Sequence, residues 1–204
     1  MKRILAAAFL MVGMTASGVR AADVIEEWAS IKPAAPTLKP VTVDPKTTAL
    51  LMLDFMKQNC GQRPRCTASL PAMKKLLEAA RAAKAPVVYA IIANSTIADV
   101  LPDVAAQGEP HVQAGPDKFR NTDLEKILKE KGIQAVITVG TSSNGAVLYT
   151  ASGAAFRGMK VIVPVDGMSA ADPVAEYATV LNFMSAPTVS AATTLTRSDM
   201  IKFQ

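Results

Sequence analysis

An aspartate stands at the end of an uninterrupted apolar stretch of this sequence. Five apolar residues, Ala49 to Leu53, run directly into Asp54. Such a run is typical of a strand buried on both faces of a parallel sheet, and open α/β sheets bind ligands at the carboxyl ends of their strands. A carboxylate there can act as a general acid, a general base or a ligand anchor. The alternative is a structural role, in which Asp54 accepts hydrogen bonds from loop amides.

The only two cysteines, Cys60 and Cys66, follow this aspartate closely. In an oxidising compartment their thiols can close a small loop as a disulfide, worth about 2 kcal/mol if chain entropy is the source of its stabilisation. The alternative is a pair of reduced cysteines, in which Cys60 is a free thiol able to act as a nucleophile.

A turn bounded by two glycines, Gly140 to Gly145, leads from a predicted strand into a predicted helix. Ser142 or Ser143 could act as a nucleophile together with Lys118, but serines ahead of a helix are usually N-caps. Asn144 is interpreted as the cap of the helix, with a hydrogen bond to a ligand as the alternative.

The histidine content limits the chemistry further. His111 is the only histidine, which excludes a metal site built on several histidines and a Ser/His/Asp triad with a second histidine beside it. We expect no metal and no other cofactor.

Apolar periodicity predicts the elements that position these residues. The predicted strands cover 49–53, 87–92, 135–139, 161–165 and, weakly, part of 188–195, and helices alternate with them. This order predicts a three-layer α/β/α Rossmann-like domain with a mostly parallel sheet and helices on both faces. The stretch 94–118 is predicted to be a long loop containing at most a short helix, and loops of that length in compact domains are usually functional.

Local signals predict where several elements begin or bend. Ser69 and Pro71 indicate the N-terminus of the first helix. Thr122 and Glu125 match a capping box at the start of a helix over 122–131. Pro164 lies in a predicted strand and indicates an edge position or a bulge.

The first 21 residues have the pattern of a cleavable signal peptide. Two basic residues precede an apolar run from Ile4 to Met14, and small residues lead to Ala21. The apolar run is shorter than the roughly 20 residues that span a bilayer; a retained membrane helix is the alternative. We predict cleavage after Ala21, a periplasmic or secreted protein, an extended arm over 22–46 and one domain over 47–204.

Removal of this segment also removes most of the positive charge. The formal net charge falls from +5 to +2, because Lys2, Arg3 and Arg20 are lost with no acidic residue. No run of five or six basic residues remains, so the sequence indicates neither nucleic acid nor, after cleavage, a membrane as a partner.

Three segments of the chain resemble the isochorismatase-like hydrolases, the superfamily that also contains nicotinamidases and many cysteine amidohydrolases. The segments are the strand Leu50 to Asp54, an F-x-x-T-x-L stretch over Phe119 to Leu124, and the strand-turn-helix from Val139 to Gly158. The resemblance implies an aspartate base, a lysine that stabilises developing negative charge, and a cysteine nucleophile at a helix N-terminus.

Asp54 matches the family's aspartate, but the cysteine position falls on Ala146, which excludes thiol catalysis there. The family's lysine commonly stands six residues before the phenylalanine, where this chain has Gln113; Lys118 is the alternative cation. The resemblance to isochorismatases, which hydrolyse a vinyl ether without a cysteine, is compatible with the missing thiol. The predicted substrate-binding residues are Gln113, Asn144, Gly145 and Ala146.

Two functions are consistent with this pattern. The first is an exported hydrolase acting on a small organic substrate, in which Asp54 handles a proton and Lys118 or a backbone N–H near residues 144–146 stabilises charge. The second is a pseudoenzyme that binds a small anionic or amide ligand without turnover. The resemblance further implies a homo-oligomer, in which the arm bearing Trp28 covers a neighbouring subunit.

Overall fold

The computed structural model describes residues 21–204, so the predicted signal peptide, apart from Ala21, lies outside the described residues. The chain divides into a unit ending at Ala35 and a compact unit over Pro36–Gln204. The range predicted as an arm is therefore split, and residues 36–46 belong to the compact unit. Within the described residues, no helix is both long and apolar enough to cross a membrane.

The described part of the chain contains nine strands and five α-helices. The strands are β1 (Val41–Val43), β2 (Thr48–Leu53), β3 (Val87–Ile91), β4 (His111–Gln113), β5 (Ala135–Thr141), β6 (Lys160–Pro164), β7 (Met168–Ser169), β8 (Thr193–Thr196) and β9 (Ile201–Phe203). The helices are α1 (Pro64–Ala82), α2 (Leu124–Glu130), α3 (Leu148–Phe156), α4 (Pro173–Ser185) and α5 (Val189–Ala192).

The main sheet has the strand order β4-β3-β2-β5-β6-β8, with β7 beside the end of β5, and all its pairings are parallel. A small parallel pair, β1 with β9, forms a second sheet. The chain builds outward from β2 through β3 to β4 and then returns to the other side of β2 as β5. The switch point of the sheet, where open α/β folds bind ligands, lies between β2 and β5.

The two faces of the sheet carry separate apolar cores. Alternate side chains of β2 divide between them, with Leu50 and Met52 in one core and Leu51 and Leu53 in the other. Helix α1 covers the first core, while α2, α3 and α4 contribute to the second. This arrangement confirms the predicted three-layer α/β/α fold, because strands buried on both faces require helices on both sides.

The first helix begins earlier than the sequence signals indicated. It starts at Pro64, which occupies the first helical position, where its fixed φ is already helical and its missing N–H costs nothing. Ser69 is one turn inside the helix and donates its hydroxyl to the carbonyl oxygen of Cys66 at 2.7 Å. The N-cap assigned to Ser69 and the early position assigned to Pro71 were therefore wrong.

The predicted capping box at Thr122 does not form. The Thr122 hydroxyl accepts the Leu124 N–H at 3.2 Å, but Glu125 turns away to pair with Lys129 and Arg157. Two charged partners on the surface outweigh one backbone N–H for this carboxylate. The helix accordingly begins at Leu124.

Two further predictions about strands were wrong. Pro164 marks neither an edge nor a bulge, because β6 lies between β5 and β8 and pairs with β8 in continuous register. Pro164 is the last residue of β6, where a missing N–H least disturbs the ladder. The segment 94–118, predicted as a loop with at most a short helix, does contain two short 3-10 helices, Ile97–Asp99 and Pro102–Val104. It also contains β4, a three-residue strand that was not predicted and that pairs with β3 at the edge of the sheet. Three residues are too few to show a period-two pattern.

Gly140 allows β2 and β5 to approach each other closely at their carboxyl ends. Its φ is +143°, and a Cβ atom there would lie 2.0 Å from the carbonyl oxygen of Leu53. We expect Gly140→Ala to lower the free energy of unfolding by roughly 2–5 kcal/mol, from backbone strain and overpacking together. Chemical denaturation measures the effect.

Gly108 provides the matched control for this substitution. It also has a positive φ, +96°, but no heavy atom lies within 4 Å of the point that a Cβ atom would occupy. Gly108→Ala should cost only the backbone strain, roughly 1 kcal/mol. Equal effects of the two substitutions would contradict the close approach at Gly140.

Candidate functional site

Asp54 is the first residue after β2 and lies at the switch point of the sheet. Its backbone N–H donates to the carbonyl oxygen of Ala90 at 2.9 Å, which ties it to the neighbouring strand. Its φ is +55°, a conformation in which aspartate and asparagine are tolerated better than most residues. The residue is only 4% exposed, so the backbone turns its carboxylate into the protein rather than toward solvent.

Lys118 meets this carboxylate from a segment 64 residues further along the chain. Its Nζ lies 2.8 Å from Asp54 Oδ1 and 2.7 Å from Oδ2, so both carboxylate oxygens accept from the same ammonium group. Lys118 is fully buried, and its Nζ also approaches the carbonyl oxygen of Ala114 at 3.4 Å. The structure thus brings together the two residues that the sequence predicted as catalytic.

Burial and charge act in opposite directions on the Asp54 carboxyl. Removal from water disfavours the ionised form and is the largest single effect on this carboxyl. The net result of all effects is a pKa of Asp54 raised from 3.8 to about 6. The Lys118 ammonium, and to a lesser degree the Arg63 guanidinium, lower the pKa but do not cancel the effect of burial. An aspartic acid with such a pKa holds a proton over part of the range in which proteins work, as a proton-transfer group must.

The turn after β5 forms the opposite wall of the switch point. Leu53 pairs with Gly140, so Asp54 and this turn lie at the same end of adjacent strands. The Thr141–Ser142 peptide is cis, and a π-helical turn over Ser143–Val147 leads into α3. The backbone N–H of Gly145 donates to the carbonyl oxygen of Ser142 at 3.1 Å.

The side chains of this turn differ from the expectations in one respect. The structural N-cap is Ser142, which makes no capping hydrogen bond through its side chain, and Asn144 is an exposed residue inside the π-helical turn. The interpretation of Asn144 as the cap was therefore wrong, because the π-helical turn begins two residues after the end of β5. Ala146 is buried, in contact with the apolar core that includes α3.

Two other predicted groups have different surroundings. Gln113 ends β4 and donates its side-chain amide to the carbonyl oxygens of Ile92 and Ser95, at 3.1 and 2.9 Å. These bonds tie β4 to the loop after β3, so Gln113 does not occupy the place of a cation beside Asp54. Within the described residues, neither Ser142 nor Ser143 has a hydrogen bond to Lys118, and Ser143 instead approaches the Thr179 hydroxyl at 3.5 Å.

Cys60 and Cys66 form a disulfide, and the described residues contain no free cysteine. One side chain inside the loop that they close, and one from the residue just before it, reach the end of β5. Arg63 donates from Nη1 to Thr141 Oγ1 at 2.8 Å, and Asn59 donates from Nδ2 to the Thr141 carbonyl oxygen at 3.4 Å. Sequence reasoning missed both residues; the signal available was their position between Asp54 and the start of α1.

The residue types available at the site permit acid–base chemistry and anion binding. No group of three or more histidine, cysteine, aspartate or glutamate residues that could hold a metal occurs in residues 21–204. The site combines a carboxyl group of raised pKa, an ammonium on both of its oxygens and a nearby guanidinium. Such a set can transfer a proton and stabilise negative charge without a thiol.

Comparison with known proteins supports the resemblance inferred from the three sequence segments. The isochorismatase domain model matches residues 48–196. A secreted isochorismatase effector of Verticillium dahliae is 27% identical over 148 residues, which cover 65% of this chain and 78% of that protein.

Solved structures share the fold. A cysteine hydrolase from Pseudomonas syringae pv. phaseolicola has a TM-score of 0.70 at 20% identity, over 81% of this chain and 95% of its own. N-carbamoylsarcosine amidase from Thermoplasma acidophilum has a TM-score of 0.65 at 22% identity, over 75% of this chain and 97% of its own. With a family model that covers the whole main sheet and all five helices, this chain belongs to the isochorismatase domain family.

Proposed function

We propose that this protein is a hydrolase of the isochorismatase family that acts on a small organic substrate by acid–base chemistry, without a cysteine nucleophile. The observation that supports the proposal is the buried Asp54–Lys118 pair at the switch point of the sheet. A buried ion pair contributes little net stability, since desolvation offsets most of the attraction. The presence of this pair at the edge of the sheet where such folds bind ligands is therefore better explained by function than by stability.

In the proposed reaction, Asp54 in its protonated form donates its proton to the substrate, as a vinyl ether would require. Water then attacks the resulting cation and releases the two products, and the proton it loses restores the Asp54 carboxyl. Lys118 holds the aspartate oxygens in place and stabilises the carboxylate formed after proton transfer. Ala146 supplies no nucleophile, so no covalent enzyme intermediate is expected at that position.

This mechanism predicts a pH dependence with a definite sign. Because the donor is the protonated carboxyl and the pKa of Asp54 is about 6, kcat/KM should be flat below that pH and fall above it, by about tenfold per pH unit. Steady-state kinetics at constant ionic strength between pH 4.5 and 8.5 measures the profile. A rate that rises through pH 6 would assign Asp54 as a base instead.

A second candidate function is ligand binding without turnover. It is favoured by the closure of the site, since the Asp54 side chain is 6% exposed and that of Lys118 is 0% exposed. It is also favoured by Ala146, which replaces the family's nucleophile. A binding protein would keep the fold and the charged groups and would show ligand-dependent stabilisation with no product.

One experiment separates the two candidates. Residues 22–204 are screened by thermal shift against small carboxylates, amides and vinyl ethers, and every stabilising compound is incubated with the protein and followed by mass spectrometry. Conversion that depends on Asp54 supports the hydrolase. Stabilisation without conversion by any compound supports the binding protein and rejects the hydrolase.

We also propose that the protein is exported. The signal-peptide pattern of residues 1–21, the disulfide between Cys60 and Cys66 and the secreted relative in Verticillium dahliae all support this location. Fractionation of the source cells, with the mature N-terminus identified by mass spectrometry, should find the chain outside the cytoplasm and beginning at Ala22. A chain that retains Met1 would contradict it. Assembly into a homo-oligomer stays a prediction.

A further inference from the structure

Arg63 lies next to the proposed catalytic pair but is not part of it. Its positive charge is close enough to lower the pKa of Asp54, and its Nη1 donates to Thr141 Oγ1 at the end of β5. It is half-buried, whereas Lys118 is fully buried. Arg63 is therefore partly open to solvent, while Lys118 is shielded from it.

The backbone of Arg63 is held firmly in place. Its N–H donates to the carbonyl oxygen of Cys60 at 2.9 Å, and its own carbonyl oxygen accepts the Cys66 and Thr67 N–H groups at 2.9 and 3.0 Å. Both cysteines are fully buried and joined by the disulfide. A side chain on such a support can present its donors to a ligand with little loss of conformational entropy.

The guanidinium of Arg63 has N–H donors that donate to no side chain among the described residues other than that of Thr141. An arginine carries five N–H donors, and the one hydrogen bond of Arg63 to another described residue's side chain is the bond to Thr141. Within the described residues, no carboxylate lies within 4.0 Å of its guanidinium, since the ion pairs of that region are Asp54 with Lys118 and Glu176 with Arg65. Arg65, in the same disulfide loop, differs because its Nε and Nη2 both donate to the Glu176 carboxylate.

The local charge is also unbalanced. When Asp54 is ionised, its charge and that of Lys118 cancel, and Asp54, Lys118 and Arg63 together carry one positive charge. When Asp54 is protonated, the three groups together carry two positive charges. A half-buried guanidinium without a counterion is unfavourable, and a carboxylate that accepts two parallel N–H bonds is its best-matched partner. The same carboxylate would hold the reacting part of a small molecule beside Asp54.

We propose that Arg63 is the residue that selects an anionic ligand, by binding its carboxylate at the mouth of the Asp54–Lys118 site. This proposal rests on the proposed function in placing the ligand at that site, and it names the substrate class as small carboxylates rather than neutral amides. Arg63 acts on binding, so its removal should affect ligand selection more than proton transfer.

The test compares carboxylates with the primary amides of the same skeleton. Pairs such as benzoate and benzamide, over a series of two to ten carbons, are titrated against residues 22–204 by thermal shift and calorimetry. We expect the wild type to bind at least one carboxylate more tightly than its amide. Arg63→Gln should weaken that carboxylate roughly ten- to a hundredfold and leave the amide nearly unchanged.

Two further variants separate ligand binding from a structural role. Arg65→Gln removes the same charge from the same loop and should leave the preference for carboxylate unchanged. Arg63→Lys keeps the charge and should retain part of the preference. If Arg63 only tied the loop to Thr141, Arg63→Gln would lower Tm without changing the ratio of carboxylate to amide affinity, and the proposal would be wrong.

The remaining outcomes are also decisive. A wild type that binds every amide of the series as well as its carboxylate, or that binds no carboxylate, overturns the inference. Carboxylate binding that depends on Arg63, with no conversion of any compound, supports the inference and rejects the hydrolase. The two proposals therefore fail in distinguishable ways.

Discussion

Asp54→Asn is expected to lower kcat/KM by about 10²–10⁴-fold, the range that removal of a general acid or base usually costs. The amide has the shape of the carboxyl and fits the backbone at φ +55°, which asparagine tolerates well. It cannot donate a carboxylic proton. The loss should appear mainly in kcat, because the proton is transferred during the reaction and not on binding.

The control must address the stability of this variant, since it leaves the buried Lys118 ammonium without a counterion. The double variant Asp54→Asn/Lys118→Met removes both charges, and the desolvation of an unpaired ion with them. It should fold at least as well as the single variant, as judged by circular dichroism and Tm, and be equally inactive. Activity within a factor of three of wild type in the folded double variant would remove Asp54 and Lys118 from the mechanism.

Lys118→Met is expected to lower the free energy of unfolding at pH 8 by about 3–5 kcal/mol, the cost of leaving one member of a buried ion pair alone. Methionine fills a similar volume, so the effect reports on charge rather than on a cavity. The Asp54 carboxylate would then be buried with both oxygens deprived of their 2.7–2.8 Å bonds to Nζ. Urea denaturation measures the difference.

The pH dependence of this destabilisation has a predictable sign. The pKa of Asp54 is already raised to about 6 in the folded protein, and loss of the Lys118 ammonium raises it further. A carboxyl whose folded pKa exceeds its unfolded pKa contributes stability below the unfolded value, which is lost as the pH rises toward the folded value. Lys118→Met should therefore be less destabilised at pH 5 than at pH 8.

The neutral double variant again provides the comparison. Asp54→Asn/Lys118→Met has no titrating group at this position, so the pH-dependent part of the destabilisation should disappear. A Lys118→Met variant that loses the same free energy at pH 5 and pH 8 would mean that the Asp54 carboxyl is hydrated in the folded protein. Its pKa would then be close to 3.8 rather than about 6.

Much of the fold could be predicted from sequence because its signals are local. Strands buried on both faces appear as continuous apolar runs, and β2, β3 and β5 were located within a few residues by this pattern. Strand β4 was missed because it is only three residues long. The start of α1 was misplaced because Ser69 and Pro71 have the residue types of a helix N-terminus, although the helix already begins at Pro64.

The features of the candidate site can likewise be divided into those that local sequence signals predict and those that they do not. The sequence by itself determined that a carboxylate ends the central strand, that no cysteine stands at residue 146 and that two cysteines could close a loop after Asp54. Each of these facts depends on the type of one residue and its place in a local pattern.

Only the tertiary structure decided which cation joins Asp54. Gln113 is tied to the loop after β3, and Lys118 reaches the carboxylate from a segment 64 residues away in the chain. The structure also decided that Arg63 lies against Thr141, at the end of β5, and that no other side chain among residues 21–204 accepts a hydrogen bond from its guanidinium. Contacts between distant segments depend on the path of the connecting loop and on the packing of β4 at the sheet edge, and no local pattern of residues encodes either.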